Sequence, residues 1–149
     1  MNCYSIPIFR LKLVREKRVN FFNGQTPLKN SLDVVKFTTR YLKDSPVEQF
    51  LTFYLDNQNR LIGLMTQKGT VNQTAVYFGE IFKTALLCNS VSLILVHNHP
   101  SGMLKPSPED IRLTGQIKDA ARLFQMSILD HLIIDGVGGY LSFHEKGIL

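Results

Sequence analysis

The chain has 149 residues, 44% of them hydrophobic, and a net charge of +5. That size suits a single domain, spanning 1–149, with room for a real core, and no apolar run is long enough to cross a bilayer. The N-terminus carries no apolar segment of the kind a signal peptide needs. The two cysteines, Cys3 and Cys88, have no partner at metal-binding spacing and are expected as free thiols in a reducing cytoplasm.

The charge is uneven. Residues 1–46 hold nine Lys/Arg against three Asp/Glu, whereas residues 47–149 hold eight against nine. Arg10, Lys12, Arg15, Lys17 and Arg18 form the densest basic cluster. Phe9, Leu11 and Leu13 alternate with Arg10 and Lys12, so residues 1–26 read as a basic N-terminal strand or extension. Such charge guards a strand edge against aggregation; it is also what a weak nucleic-acid or acidic-partner surface looks like.

Asn20 to Lys29 is a connection rich in turn residues. A helix follows, capped by Asn30 or Ser31, with Val34, Val35, Phe37, Tyr41 and Leu42 as its apolar stripe, and it ends at Ser45-Pro46. Glu48 to Leu55 predicts a strand with Phe50 and Tyr54 on one face and Leu51, Phe53 and Leu55 on the other. Apolar residues on both faces place it at the centre of a sheet covered on both sides. Asp56 to Asn59 turns the chain into a hairpin partner over Arg60 to Thr66. A short strand is expected near Thr74 to Phe78. A helix over Gly79 to Asn89 follows, burying Ile81, Phe82, Ala85 and Leu86.

Val91 to Val96 is a short run of branched apolar residues, a buried strand, and His97 stands at its C-terminal end. Side chains at i and i+2 of a strand share a face, so His97 and His99 can aim at one point while Asn98 points away. Pro100 and Gly102 then turn the chain. Ser107-Pro108 starts a helix, with Ser107 as N-cap and Asp110 in the first turn. Two imidazoles and a carboxylate that converge in this way, with a fourth position left for water, form a known catalytic zinc arrangement. The same residues taken separately are ordinary: a His-x-His pair on a surface, and a Ser-x-x-Asp capping box.

The last helix runs from Pro108 to about Phe124, with Thr114, Ile117, Ala121 and Phe124 inward. Met126 to Ile134 is a strand in which Leu129, His131 and Ile133 share a face. A turn at Gly136 to Gly139 leads to a final strand over Tyr140 to Phe143. Interleaved strands and helices with two hairpins predict an α+β or α/β sandwich, a mixed sheet flanked by helices.

His97-x-His99-Pro100 followed by Ser107-x-x-Asp110 resembles the signature of the JAMM (JAB/MPN+) metalloproteases. The longer string His97-Asn98-His99-Pro100-Ser101-Gly102, with Pro106-Ser107, resembles their RadC branch. Glu48-x-Phe50, Gly79-Glu80-Ile81-Phe82-Lys83, Asp130-His131 and Gly139-Tyr140-x-Ser142-Phe143 agree with it, and the likeness extends over Pro27 to Leu149. The resemblance implies a cytidine-deaminase-like JAB/MPN fold. It also implies a zinc-dependent peptidase or isopeptidase acting on a protein or peptide, with Zn2+ held by His97, His99 and Asp110. It gives Glu48 the role of general base and Ser107 that of oxyanion donor. Glu80, in its own RadC-like string, is the competing carboxylate. His131 reads as a buried, hydrogen-bonded histidine or as a support behind the metal ligands, and His144 is assigned nothing.

Two further classes remain open. One is a DNA-repair-associated or DNA-binding protein with the same metal site, although a helix-hairpin-helix module found in many longer RadC-type proteins is missing from the sequence. The other is a scaffold that keeps the MPN fold without turnover.

Overall fold

The computed structural model describes Arg10, residues 12–14, Glu16, and residues 27–28, 30–43, 45–69 and 76–149. Eight elements follow in order: α1 (Ser31–Leu42), β1 (Gln49–Leu55), β2 (Leu61–Lys68), α2 (Phe78–Leu87), β3 (Ser92–Asn98), α3 (Pro108–Leu123), β4 (Ser127–Ile134) and β5 (Tyr140–Ser142). The strands form one mixed sheet in the order β2-β1-β3-β4-β5. Only β3 and β4 are parallel, and α3 supplies the crossover that a parallel pair requires. This is the mixed α/β sandwich expected of a JAB/MPN fold.

The alternation along β1 builds the two cores. Leu51, Phe53 and Leu55 join Val34, Val35, Phe37 and Leu42 of α1 on one face. Phe50 and Tyr54 join Ile81, Phe82 and Ala85 of α2 and Ile117 and Ala121 of α3 on the other. Six of the seven β1 side chains are buried, which is what a central strand covered on both sides demands. β3 alternates in register with it: His97 lies opposite Phe50 and Leu95 opposite Thr52, so His97 belongs to the α2/α3 face.

Several expectations are corrected. The short strand near Thr74 to Phe78 is not found among the described residues. Val76 and Tyr77 lie outside regular structure and Phe78 opens α2, while Thr74 and Ala75 fall outside the described residues. Leu86 and Phe124 stand at helix ends beyond the core and are half-exposed, Phe124 stacking on Phe82 with ring centroids 5.3 Å apart. Leu129 does not share the face of His131. The β3–β4 register shifts between Leu93 and Ile94, which face Ile128 and Asp130, so Leu129 is the extra residue of a bulge. Of the N-terminal strand expected over Phe9 to Leu13, Phe9 and Leu11 fall outside the described residues, and Arg10, Lys12 and Leu13 carry no strand. Of the two cap candidates for α1, Asn30 is the one that serves, as expected, its side chain accepting from the Asp33 amide at 3.3 Å.

Candidate metal centre

β3 delivers His97 to the wall of a cleft almost fully buried, at 1% exposure. One residue later Asn98 faces the α1 side. Its Oδ1 accepts from the Gln49 amide at 2.8 Å and its Nδ2 donates to the Val47 carbonyl at 3.2 Å. These are the peptide groups on either side of Glu48, whose own carbonyl accepts from the Gly69 amide at 2.9 Å. Asn98 therefore fixes the chain around Glu48 from the strand that carries the histidines. Sequence reading gave Asn98 only the property of pointing away; its place between two ligand candidates was the available signal.

His99 follows on the same face. Its Nδ1 lies 2.6 Å from the Met103 carbonyl, which can only accept, so Nδ1 carries a proton and Nε2 is the nitrogen turned toward Asp110. The intervening turn is closed by Gly102, whose amide donates to the His99 carbonyl at 2.9 Å and whose φ of +75° suits glycine.

α3 contributes the carboxylate. Pro108 occupies its first turn and Ser107 is its N-cap. Ser107 Oγ accepts from the Asp110 amide at 3.1 Å, while Asp110 Oδ2 accepts from the Ser107 amide and hydroxyl, both at 2.7 Å. The capping box thus occupies one carboxylate oxygen and steers the other. Oδ1 lies 3.3 Å from His97 Nε2, and Oδ2 lies 3.6 Å from His99 Nε2.

The two imidazole Nε2 atoms are 2.8 Å apart. Ligand atoms from His97, His99 and Asp110 all fall within 4.8 Å of one another, so the cluster could hold a metal ion. Electrostatics agree. The Asp110 carboxylate beside it, at 3.6 Å, raises the His99 pKa above its ordinary value, against the opposing effect of burial. Burial alone would raise the Asp110 carboxyl, but the neighbouring His97 and His99 imidazoles and the Ser107 amide hold it far below the usual carboxylate range. The Asp110 carboxylate thus favours positive charge beside it.

Behind His97 stands His131, fully buried, with its Nε2 2.8 Å from His97 Nδ1. Burial pushes its pKa well down, and the neighbouring His97 adds to the effect. Its Nδ1 lies 2.6 Å from Thr114 Oγ1.

In front of the cluster opens a cleft of about 470 Å³, lined by Glu48, Phe50, His97, Ser107, Asp110, Arg112, Leu113 and Gln116, among others. Glu48 and Ser107 therefore border the same space as His97 and Asp110, and the charge of Glu48 is felt at His99. Glu80 is elsewhere: exposed in the first turn of α2 and paired with Lys83 at 3.0 Å. His144 lends its amide to Asp130 at 3.0 Å. Cys88 is a half-buried free thiol.

Comparison with known proteins gives the family. A family model described as a RadC-like JAB domain matches residues 28–148. A UPF0758 protein of Haemophilus influenzae (strain 86-028NP) is 46% identical over 126 residues, 83% of this chain and 57% of its own length. One from Histophilus somni (strain 2336) is 49% identical over 107 residues, covering 71% of this chain and 48% of that protein. A third, from Photobacterium profundum, is 46% identical over 76% of this chain and 50% of its own. The chain spans about half the length of these relatives, and it belongs to the RadC-like JAB domain family.

Proposed function

From that membership we propose that the domain is a zinc-dependent hydrolase of the peptidase or isopeptidase type, with His97, His99 and Asp110 as its metal ligands. The observation that carries this reading is the convergence of two imidazole nitrogens and one carboxylate at the wall of an open cleft. Nitrogen and carboxylate donors in that number suit zinc with a position left open. Bound there, zinc would act as a Lewis acid and bring the pKa of a coordinated water to about 7.

The residues of the chain supply the rest. Glu48, held by the Asn98 clamp, takes a proton from the attacking water and returns it to the leaving nitrogen. Ser107 gives up its bond to Asp110 and donates to the developing oxyanion. Leu113 offers apolar contact to a substrate chain lying along the cleft.

Glu48→Gln keeps size and removes basicity, so zinc content and fold should persist while the rate falls about 10²–10⁴-fold. Mass-spectrometric screening of peptide and isopeptide-linked substrates supplies the assay. Glu80→Gln should leave the rate near normal. Normal turnover in Glu48→Gln beside a dead Glu80→Gln would exchange their roles, and normal turnover in both would remove glutamate from the chemistry.

A second reading places the same metal centre on a protein that binds nucleic acid. It is favoured by a separate cleft lined by Lys36, Arg40 and Lys43 of the α1 region with Gly136 and Val137. Cationic contacts to phosphates release counterions, so affinity for DNA should fall steeply with salt, and Lys36→Glu/Lys43→Glu should flatten that slope. Weak, non-specific binding is the expected outcome. Nanomolar, sequence-selective binding at physiological salt would move DNA from a secondary property to the main one.

A further inference from the structure

We infer that Thr114 and His131 are positioning residues that fix His97 in the tautomer with its proton on Nδ1, leaving the Nε2 lone pair for an ion. The inference rests on the metal-centre reading of His97 and names the device that prepares that ligand.

Three short hydrogen bonds form a continuous chain. Thr114 Oγ1 lies 2.6 Å from the Asp110 carbonyl, His131 Nδ1 lies 2.6 Å from Thr114 Oγ1, and His131 Nε2 lies 2.8 Å from His97 Nδ1. Their polarity follows from the first. A carbonyl only accepts, so the single hydroxyl proton of Thr114 is directed there. The hydroxyl can then only accept from His131, whose Nδ1 must carry hydrogen. His131 is fully buried, its ring centroid 4.7 Å from that of Phe143 and 5.6 Å from that of Phe50. Its hydrogen-bond partners are a hydroxyl and an imidazole, neither of them an anion. A cation in that place would be buried unpaired, so the ring is neutral and its Nε2 is bare. A bare Nε2 accepts, and His97 Nδ1 has to donate. The lone pair of His97 Nε2 is thereby turned towards His99 Nε2, at 2.8 Å, and Asp110 Oδ1, at 3.3 Å.

The relay starts and ends on the same cluster. Asp110 supplies a ligand oxygen from its side chain and, from its main chain, the acceptor that orders the relay. Thr114 sits one helical turn later, and a valine in its place would fill the same space without the hydroxyl. His131 comes from β4, the parallel neighbour of β3 in the sheet, and Thr114 from α3, so the relay also ties the ligand strand to its supports.

The test uses the full chain with ¹⁵N-labelled histidine. Two-bond ¹H–¹⁵N correlation spectra of metal-free protein report each tautomer, and competition with a chromophoric chelator reports zinc affinity. Wild type should show His97 and His131 both protonated on Nδ1. Thr114→Val should introduce the other tautomer at His97 and weaken zinc binding about 10–100-fold. Thr114→Ser should restore both readouts, which a purely space-filling role for Thr114 would not do. If Thr114→Val does not fold, His131→Phe keeps an aromatic ring in the pocket, removes the acceptor for His97, and should show the same loss of affinity. Finding His97 protonated on Nε2 in metal-free wild type overturns the inference, as does unchanged zinc affinity in Thr114→Val with unchanged spectra. A wild type that binds no zinc, yet shows the stated tautomers, would instead refute the metal reading and leave the relay standing.

Discussion

Asp130 and His131 stand side by side on β4, and their side chains enter two buried polar networks on opposite faces of the sheet. On the α1 face, Asp130 receives four donors. The hydroxyls of Ser31 and Ser142 reach Oδ2 at 2.8 and 2.6 Å, and the amides of His131 and His144 reach Oδ1 at 2.8 and 3.0 Å. Each carboxylate oxygen has two bonds, and the network is closed. On the α3 face, His131 continues through His97 to a place where two imidazole Nε2 atoms and a carboxylate face one another. A buried anion saturated with donors is architecture, tying α1, β4, β5 and the segment after β5 together. A cluster of nitrogen and carboxylate ligand atoms that close together is one that could hold a metal ion.

The sharpest way to break this comparison is to remove each carboxylate in turn. Asp130→Ala leaves two hydroxyls and two amides without their acceptor in a buried site. It should cost about 3–5 kcal/mol, the upper range for losing a buried network. The melting midpoint should fall by on the order of 10 °C. Asp110→Asn keeps an oxygen for the capping box, so its melting midpoint should stay within a few degrees of wild type while zinc affinity collapses. Thermal melts and chelator competition on both variants decide the matter. An Asp130→Ala protein that melts like wild type, or an Asp110→Asn protein that retains full zinc affinity, would erase the distinction between the two networks.

The fold was largely readable because its signals are local. The β1 alternation of Phe50 and Tyr54 against Leu51, Phe53 and Leu55 separates the two cores, and the structure keeps that division. His97, His99 and Asp110 could be grouped in advance because strand alternation and a helix cap each constrain direction within a few residues. What could not be read depends on contacts between distant segments. The bulge at Leu129 is set by pairing with β3, not by its own neighbours. The Asn98 clamp on the peptides around Glu48 joins residues 49 and 51 positions apart. The order of the Thr114–His131–His97 relay needs three elements in place before any proton has a direction. Leu86 and Phe124 fit the helical stripe but lie past the end of the core, and periodicity carries no information about where packing stops.

The smallest effect expected is at Ser107, and it separates two roles that share one hydroxyl. In this structure the hydroxyl donates to Asp110 Oδ2 and accepts from the Asp110 amide. Replacing an N-cap serine with alanine typically costs about 1 kcal/mol, which for a chain of this size is a drop of roughly 2–4 °C in melting midpoint. The Ser107 amide still holds Asp110 Oδ2 in the variant, so zinc affinity should change only a few-fold. If the hydroxyl also serves the oxyanion, Ser107→Ala should lose about 10²–10³ in rate at full zinc occupancy, the usual cost of removing one such donor. Ser107→Thr retains both the cap and the donor and should recover most of each. A Ser107→Ala protein whose rate falls only in proportion to its zinc occupancy would confine this residue to the cap, and place transition-state stabilisation with the ion and the remaining groups of the cleft.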